Sequence, residues 1–311
     1  MNRASARRAN LLTAPRVEGT VTLDDGRRLG FAEFGAATGR AVFWFHGTPG
    51  ARRQIPEPAR IAGVENDIRI IGVDRPGVGS STPHQYDRVV DFASDVREIA
   101  DRLGIGDFGV IGLSGGGPYA LACAHEMPER VRAAMILGGV APSVGPEAAE
   151  GSIVALAQRF QTPLRLLREP IAFGVSTLIW SIRPIATPGL HLYARISPEG
   201  DRRLLLRPEF GAMFLDDLLN GSLPGLRAPV YDAVLFGREW GFNVSDIKVP
   251  VEWWHGDADH IIPFRHGEHM VSLLPDVRMH VQPGESHLGG LGEAESVLES
   301  LLAAWDRRDT N

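Results

Sequence analysis

A serine at position 114 stands in a sequence pattern that is typical of nucleophilic catalysis. The stretch Gly112-Leu113-Ser114-Gly115-Gly116 follows an apolar run that begins at Phe108 and precedes an alanine-rich run that begins at Pro118. A strand, Gly-x-Ser-x-Gly and a helix in this order form a nucleophile elbow, a sharp turn that exposes the serine hydroxyl. Because the turn brings the neighbouring chain close, positions 112 and 116 have little room for a Cβ atom, and glycine fits at both. The alternative is a glycine-rich turn with an incidental serine, since the chain contains 36 glycines.

A nucleophilic serine needs a base within hydrogen-bond reach and an acid that orients that base. In an open α/β sheet, such partners gather at the carboxyl ends of the strands. Two predicted strands, Val251–Trp254 and Val277–Val281, are followed by suitable side chains: Asp257 and Asp259 after the first, and His287 after the second. The order serine, aspartate, histidine is the one expected when an elbow serine has its partners on later strands.

A metal site is the competing interpretation of the same region. The residues His255-x-Asp257-x-Asp259-His260 differ by one substitution from the His-x-His-x-Asp-His cluster of metallo-hydrolases. A metal needs several converging ligands and an ordered layer of hydrogen bonds around them. Because the third position is aspartate and a complete elbow precedes the segment, we expect no metal. We expect surface or packing roles for the histidines outside these motifs, which are His84, His125, His191, His266, His269 and His280.

The elements that must position these residues are those of an α/β protein. The segment Val21–Phe31 predicts a hairpin with Asp25-Gly26 in the turn. Helical spacing of apolar residues predicts surface helices from Phe92 to Leu103 and from Val297 to Trp305. Short apolar runs separated by helical patterns predict parallel strands buried on both faces, at Ala41–Phe45, Ile68–Val73, Phe108–Ile111, Ala133–Leu137 and Val251–Trp254.

The α/β alternation stops after Leu137 and resumes near Val249, which predicts an inserted, largely helical cap. We therefore expect a flexible N-terminal tail over residues 1–16, a core formed by residues 17–140 and 246–311, and a cap over residues 141–245. Apolar runs in the cap either line a substrate pocket or form the core of the cap itself. These runs are Pro163–Arg168, Ile171–Trp180, Met213–Leu215 and Leu218–Leu219.

Composition excludes several function classes. The chain has 311 residues, 44% of them apolar, which suits one large α/β domain or a domain with an insertion. Its formal net charge of -6 leaves no basic surface for nucleic acid. Lys248 is the only lysine and lies just before a strand, so Schiff-base, Ser-Lys and phosphate-loop mechanisms have almost no candidate.

The compartment follows from cysteine usage and hydropathy. Cys123 is the only cysteine, so no intramolecular disulfide forms, and we expect a cytoplasmic protein. No apolar stretch reaches the roughly 18 residues that a spanning helix needs. We expect no membrane contact, unless apolar residues and arginines of the cap meet a lipid surface.

Several motifs in order resemble those of the α/β-hydrolase superfamily, over nearly the whole chain. They are His46-Gly47-Thr48-Pro49, Asp74-Arg75-Pro76-Gly77-Val78-Gly79-Ser80-Ser81, the elbow, Gly256-x-x-Asp259-x-x-x-Pro263 and Gly284-x-x-His287. The resemblance implies the α/β-hydrolase fold, a mostly parallel eight-stranded sheet flanked by helices with an inserted helical cap.

The resemblance also implies a role for each site residue. Ser114 is the nucleophile, His287 is the base, and the family spacing favours Asp259 as the acid over the alternative, Asp257. The backbone N–H groups of Gly115 and of Thr48, which follows His-Gly, form the oxyanion hole. No cofactor is implied.

The elbow residue separates reaction classes within this superfamily, because relatives with aspartate there open epoxides or displace halides. Serine at 114 indicates acyl transfer to water, and the loop His46–Pro49 lacks the glycine triplet of another esterase branch, which favours the capped branch. We expect a serine esterase that acts on a small-molecule ester with a small to medium apolar acyl or aryl group. The alternatives are a C–C bond hydrolase, a cofactor-free perhydrolase, and a non-catalytic ligand-binding protein on the same scaffold.

Overall fold

The computed structural model describes residues 11–150, 167–223 and 225–310. Its centre is an eight-stranded sheet in the order β1-β2-β4-β3-β5-β6-β7-β8, in which β2 runs antiparallel to both neighbours and the other pairs are parallel. This arrangement confirms the predicted mostly parallel sheet. The strands are β1 Val17–Thr22, β2 Arg28–Gly35, β3 Arg40–Phe45, β4 Ile68–Val73, β5 Phe108–Leu113, β6 Val131–Leu137, β7 Val251–Gly256 and β8 Val277–Gln282.

Eleven α-helices lie in the described residues, and five of them fall between β6 and β7. Those flanking the sheet are α1 Glu57–Glu65, α2 Phe92–Arg102, α3 Gly117–Glu126, α9 Phe264–Leu273, α10 Gly289–Gly292 and α11 Ala294–Asp309. Those between β6 and β7, here called the helical segment, are α4 Arg168–Ile182, α5 Ala186–Ile196, α6 Glu199–Leu205, α7 Pro208–Asp216 and α8 Ala228–Leu235.

The central strands are buried on both faces, as their continuous apolar runs predict. Successive side chains point to opposite faces, so Phe43 and Phe45 pack with α2 and α3, whereas Val42 and Trp44 pack with α1 and α11. The helical segment rejoins the core at its end, where Phe236 is buried in the same cluster as α2 and α3. Among the described helices, none combines the length and the apolar character that a membrane crossing requires.

Parts of three predicted regions fall outside the described residues. These are residues 1–10 of the tail, residue 311 of the core, and residues 151–166 and 224 of the cap, which include most of the apolar run Pro163–Arg168. Two residues of the predicted tail, Thr13 and Arg16, hydrogen-bond to α1 and β2. Thr13 donates its backbone N–H and its hydroxyl to the Glu57 carboxylate, and the backbone N–H of Arg16 donates to the Glu33 carbonyl. These bonds reach residues distant in sequence, so no local pattern in the terminus indicated them.

The packing of α11 on the sheet gives a test of the fold. Leu301 is fully buried against β5, where a Cβ built on Gly109 would lie 2.8 Å from its Cδ2, whereas Leu302 is only half-buried. We expect Leu301→Ala to lower the free energy of unfolding by about 2–5 kcal/mol through lost burial and a residual cavity. The matched variant Leu302→Ala should cost clearly less, as measured by urea unfolding. Equal losses in the two variants would contradict this packing.

Candidate active site

Ser114 occupies a sharp turn directly after β5. Its φ of +51° lies in the left-handed region, which is uncommon for residues other than glycine. A Cβ built on Gly112 would lie 2.6 Å from the carbonyl oxygen of Gly116, and one on Gly116 would lie 2.2 Å from that of Phe45. Neither position therefore has room for a side chain, which is the steric reason for glycine on both sides of the serine.

The structure brings Ser114, His287 and Asp259 into one line of hydrogen bonds. Nε2 of His287 lies 2.9 Å from Oγ of Ser114, and Nδ1 of His287 lies 2.8 Å from Oδ2 of Asp259. Because a carboxylate only accepts, Nδ1 donates to Asp259, and the free lone pair of Nε2 accepts the serine hydroxyl proton. His287 is thus arranged as a base toward the serine.

Asp259 is held as a buried carboxylate. The backbone N–H groups of Ile261 and Ile262 donate to Oδ1 at 2.8 and 2.9 Å, and Nε2 of His255 lies 3.2 Å from Oδ2. Burial by itself would raise the pKa of Asp259, but hydrogen bonds from His255 and His287 outweigh burial and hold that pKa well below its ordinary value. Asp259 therefore stays ionised at neutral pH and can stabilise a positive charge on His287.

The alternative acid, Asp257, lies elsewhere. Its carboxylate is exposed and accepts the backbone N–H of Gly284 at 2.7 Å, so the structure brings Asp259 rather than Asp257 to the imidazole. His260, the last residue of the metal-like pattern, pairs through Nδ1 with Oγ of Ser286 at 3.0 Å. Within residues 11–150, 167–223 and 225–310, no three His, Cys, Asp or Glu side chains are grouped as metal ligands.

The two residues expected to form the oxyanion hole are neighbours. A Cβ built on Gly115 would lie only 2.3 Å from Oγ1 of Thr48, so the loop after β3 packs directly on the elbow. The peptide group that joins His46 to Gly47 is held by Gln54, whose Oε1 accepts the backbone N–H of Gly47 at 2.6 Å. Thr48 donates its hydroxyl to Asp232 of the helical segment at 2.6 Å.

A cavity of about 570 Å³ opens beside Ser114 and His287. Its walls are mostly apolar, and the helical segment supplies many of them: Ile185, Leu190, Leu205, Phe214, Leu215, Leu218 and Leu226. One carboxylate, Asp217, also lines the cavity; burial first, and then the charge of Asp74, raise its pKa to about 7. A space of this size and polarity suits an apolar organic ligand with a few placed polar groups.

Sequence reasoning missed three residues that contact the site. The sequence pattern suggests His255 only as a metal ligand, although its place directly before the aspartates marks it as a neighbour of the acid. Arg75 lies inside the motif Asp74–Ser81, but the motif did not indicate its partners. Asp232 has no local signal, because its contacts to Arg75 and Thr48 come from distant parts of the chain.

Fold and relatives together define the class of protein. Residues 40–177 match the family model described as alpha/beta hydrolase fold. The poly(3-hydroxyalkanoate) depolymerase of Ectopseudomonas oleovorans is 34% identical over 249 residues, which cover 78% of this chain and 76% of the depolymerase. The chain therefore belongs to the α/β-hydrolase superfamily.

Other relatives agree with this membership. The bifunctional esterase/perhydrolase DCH of Acinetobacter calcoaceticus is 24% identical over 298 residues, which cover 92% of this chain and 98% of that protein. The structure of an esterase from Exiguobacterium antarcticum matches with a TM-score of 0.65 and 21% identity, covering 93% of this chain and 100% of the esterase. The chain is thus a hydrolase of the α/β family with esterases among its relatives.

The two imidazoles that contact Asp259 should have opposite tautomers. Trp253 donates its indole N–H to Nδ1 of His255 at 3.1 Å, so the proton of neutral His255 lies on Nε2, whereas neutral His287 carries its proton on Nδ1. We expect long-range proton–nitrogen NMR correlations of the histidines to report this difference. Trp253→Phe should leave both tautomers unchanged, because Nε2 of His255 still faces two acceptors, the Asp259 carboxylate and the Ile262 carbonyl at 2.9 Å. A wild-type His255 protonated on Nδ1 would contradict the arrangement.

Proposed function

We propose that this protein is a serine hydrolase that cleaves carboxylic ester bonds through an acyl-enzyme on Ser114. The observation that carries the proposal is the continuous hydrogen-bonded line from Ser114 through His287 to Asp259 at the wall of an apolar cavity. A nucleophile, a base and an ionised orienting acid in that order are the parts that acyl transfer requires.

The chemistry follows from the geometry. Oγ of Ser114 attacks the acyl carbon while Nε2 of His287 takes the hydroxyl proton and then passes it to the leaving alkoxide. Asp259 holds the imidazole in the required tautomer and stabilises its cation. Backbone N–H groups of Thr48 and Gly115 stabilise the oxyanion. Water, activated by His287, then attacks the acyl-enzyme and releases the acid. Apart from the ester and water, every group in this scheme belongs to the chain, so the scheme needs no cofactor.

The substrate class follows from the cavity. We infer that residues 141–245 form a cap on a core of residues 17–140 and 246–311, and that the cap supplies the apolar walls. Esters with small to medium apolar acyl or aryl groups fit such walls. The similarity to a depolymerase of an ester polymer supports ester substrates, and the similarity to an esterase/perhydrolase adds a second candidate, attack of hydrogen peroxide on the same acyl-enzyme. The lone, buried thiol of Cys123 supports a cytoplasmic location.

The triad can be tested by covalent labelling and by matched aspartate variants. A fluorophosphonate probe should label the wild type and should not label Ser114→Ala, because phosphonylation needs the activated hydroxyl. Asp259→Asn should lower kcat for a chromogenic ester by about 10³–10⁴-fold, since the base loses its orienting charge. The control Asp257→Asn should retain kcat close to that of the wild type. Folded wild-type protein that resists the probe would refute a catalytic role, leaving ligand binding as the function.

The acyl preference can be tested at two glycines of the helical segment. Gly189 lines the cavity and Gly174 does not, and a Cβ built on either meets nothing within 4 Å. We expect Gly189→Leu to lower kcat/KM for octanoyl esters more than for acetyl esters, because the added side chain takes up cavity volume. Gly174→Leu is the matched control and should keep the wild-type ratio. The same loss for all acyl lengths in Gly189→Leu would argue against acyl binding in this cavity.

A further inference from the structure

The guanidinium of Arg75 holds the peptide group that joins Gly47 to Thr48. Its Nη2 donates to the carbonyl of Gly47 at 2.9 Å, and its Nη1 donates to the carbonyl of His46 at 2.5 Å. In a trans peptide the carbonyl and the N–H point in opposite directions. Fixing the carbonyl of Gly47 on Arg75 therefore directs the N–H of Thr48 away from Arg75.

A buried carboxylate from the helical segment completes this arrangement. Asp232 on α8 lies 2.8 Å from Nη2 of Arg75, and the two side chains are only 3% and 2% exposed. The same carboxylate accepts the hydroxyl of Thr48 at 2.6 Å and that of Tyr119, on the helix that follows the elbow, at 2.7 Å. Asp232 thus joins the loop after β3, the loop after β4 and the helix α3.

A gain in folding stability does not by itself account for the buried pair of Arg75 and Asp232. Removing two charges from water costs free energy that their attraction only partly returns, so a buried ion pair is weak evidence of stabilisation. An orienting role does account for it, because a charged donor on a carbonyl polarises the N–H of the same peptide. Preorganised donors of this kind contribute much of the rate in acyl transfer.

We propose that Arg75 and Asp232 are positioning residues that orient and polarise the N–H of Thr48 as an oxyanion donor. This inference rests on the proposed function of Ser114. Arg75 acts through the Gly47 carbonyl, and Asp232 acts by fixing Arg75 and the hydroxyl of Thr48. Because Asp232 lies on α8, the alignment of the oxyanion loop depends on the position of the helical segment.

The chain offers a matched control for the test. Buried Asp95 on α2 forms a second cluster of the same composition with two half-buried residues, Arg27 at 2.7 Å and the hydroxyl of Tyr86 at 2.5 Å. Asp232→Asn and Asp95→Asn each remove one carboxylate charge from an Arg-Asp-Tyr group. We expect comparable losses of stability in urea, but only Asp232→Asn should lower kcat, with KM nearly unchanged. Arg75→Met should lower kcat by about 10²–10³-fold, the typical cost of one oxyanion donor.

A milder variant keeps the test informative if loss of a buried charge prevents folding. Thr48→Val leaves Arg75 and Asp232 paired and removes two hydroxyl bonds, the one donated to Asp232 and the one accepted from Nη2 of Arg75 at 2.8 Å. We expect kcat to fall by about tenfold, equivalent to a modest positioning interaction. Unchanged kcat in folded Arg75→Met and Thr48→Val would overturn the inference, as would an equal fall of kcat in Asp95→Asn. Labelling of wild-type Ser114 by the fluorophosphonate distinguishes failure of the two proposals. If the wild type is not labelled, the hydrolase function itself is refuted. If the wild type is labelled but these variants leave kcat unchanged, only the positioning role is refuted.

Discussion

The turn after β5 is the constraint on which the rest of the site depends. Ser114 has a positive φ, and the carbonyl oxygens of Gly116 and Phe45 lie where side chains at 112 and 116 would otherwise stand. A strained turn of this kind persists only when the surrounding structure determines it. Here β5 is buried on both faces of the sheet and α3 follows the turn directly, so the hydroxyl is presented at the carboxyl edge of the sheet.

The charges near this turn are buried, and each is matched by specific partners. Asp259 is buried but receives two backbone N–H groups and two imidazoles, so it stays ionised beside His287. Arg75 is buried beneath the loop after β3 and is paired with Asp232. In a water-poor site both charges act on their neighbours more strongly than they would at the surface. Asp259 follows β7, whereas Arg75 pairs with Asp232 of the helical segment, so the two charges connect the candidate site to different parts of the fold.

The helical segment contributes both to the cavity beside Ser114 and to the contacts of the loop after β3. Residues of α5, α6 and α7 line the cavity beside Ser114, while Asp232 of α8 reaches the loop that carries Thr48. On the proposed function, a change in this segment would alter both the room for an acyl group and the alignment of the oxyanion donors.

The sequence by itself was enough to predict the elbow, the mostly parallel sheet, and the placement of the candidate serine, aspartate and histidine after successive strands. These features are local: a glycine-flanked serine, apolar runs and polar side chains at strand ends follow from backbone geometry within a few residues. The family spacing favoured Asp259 over Asp257, although both aspartates follow the same strand, and the loop conformation then brings Asp259 to His287 and Asp257 to Gly284. Only the tertiary structure revealed the pairing of Arg75 with Asp232, which are 157 positions apart, and the volume of the cavity. Such contacts depend on how distant segments pack, and no local pattern in the chain records that packing.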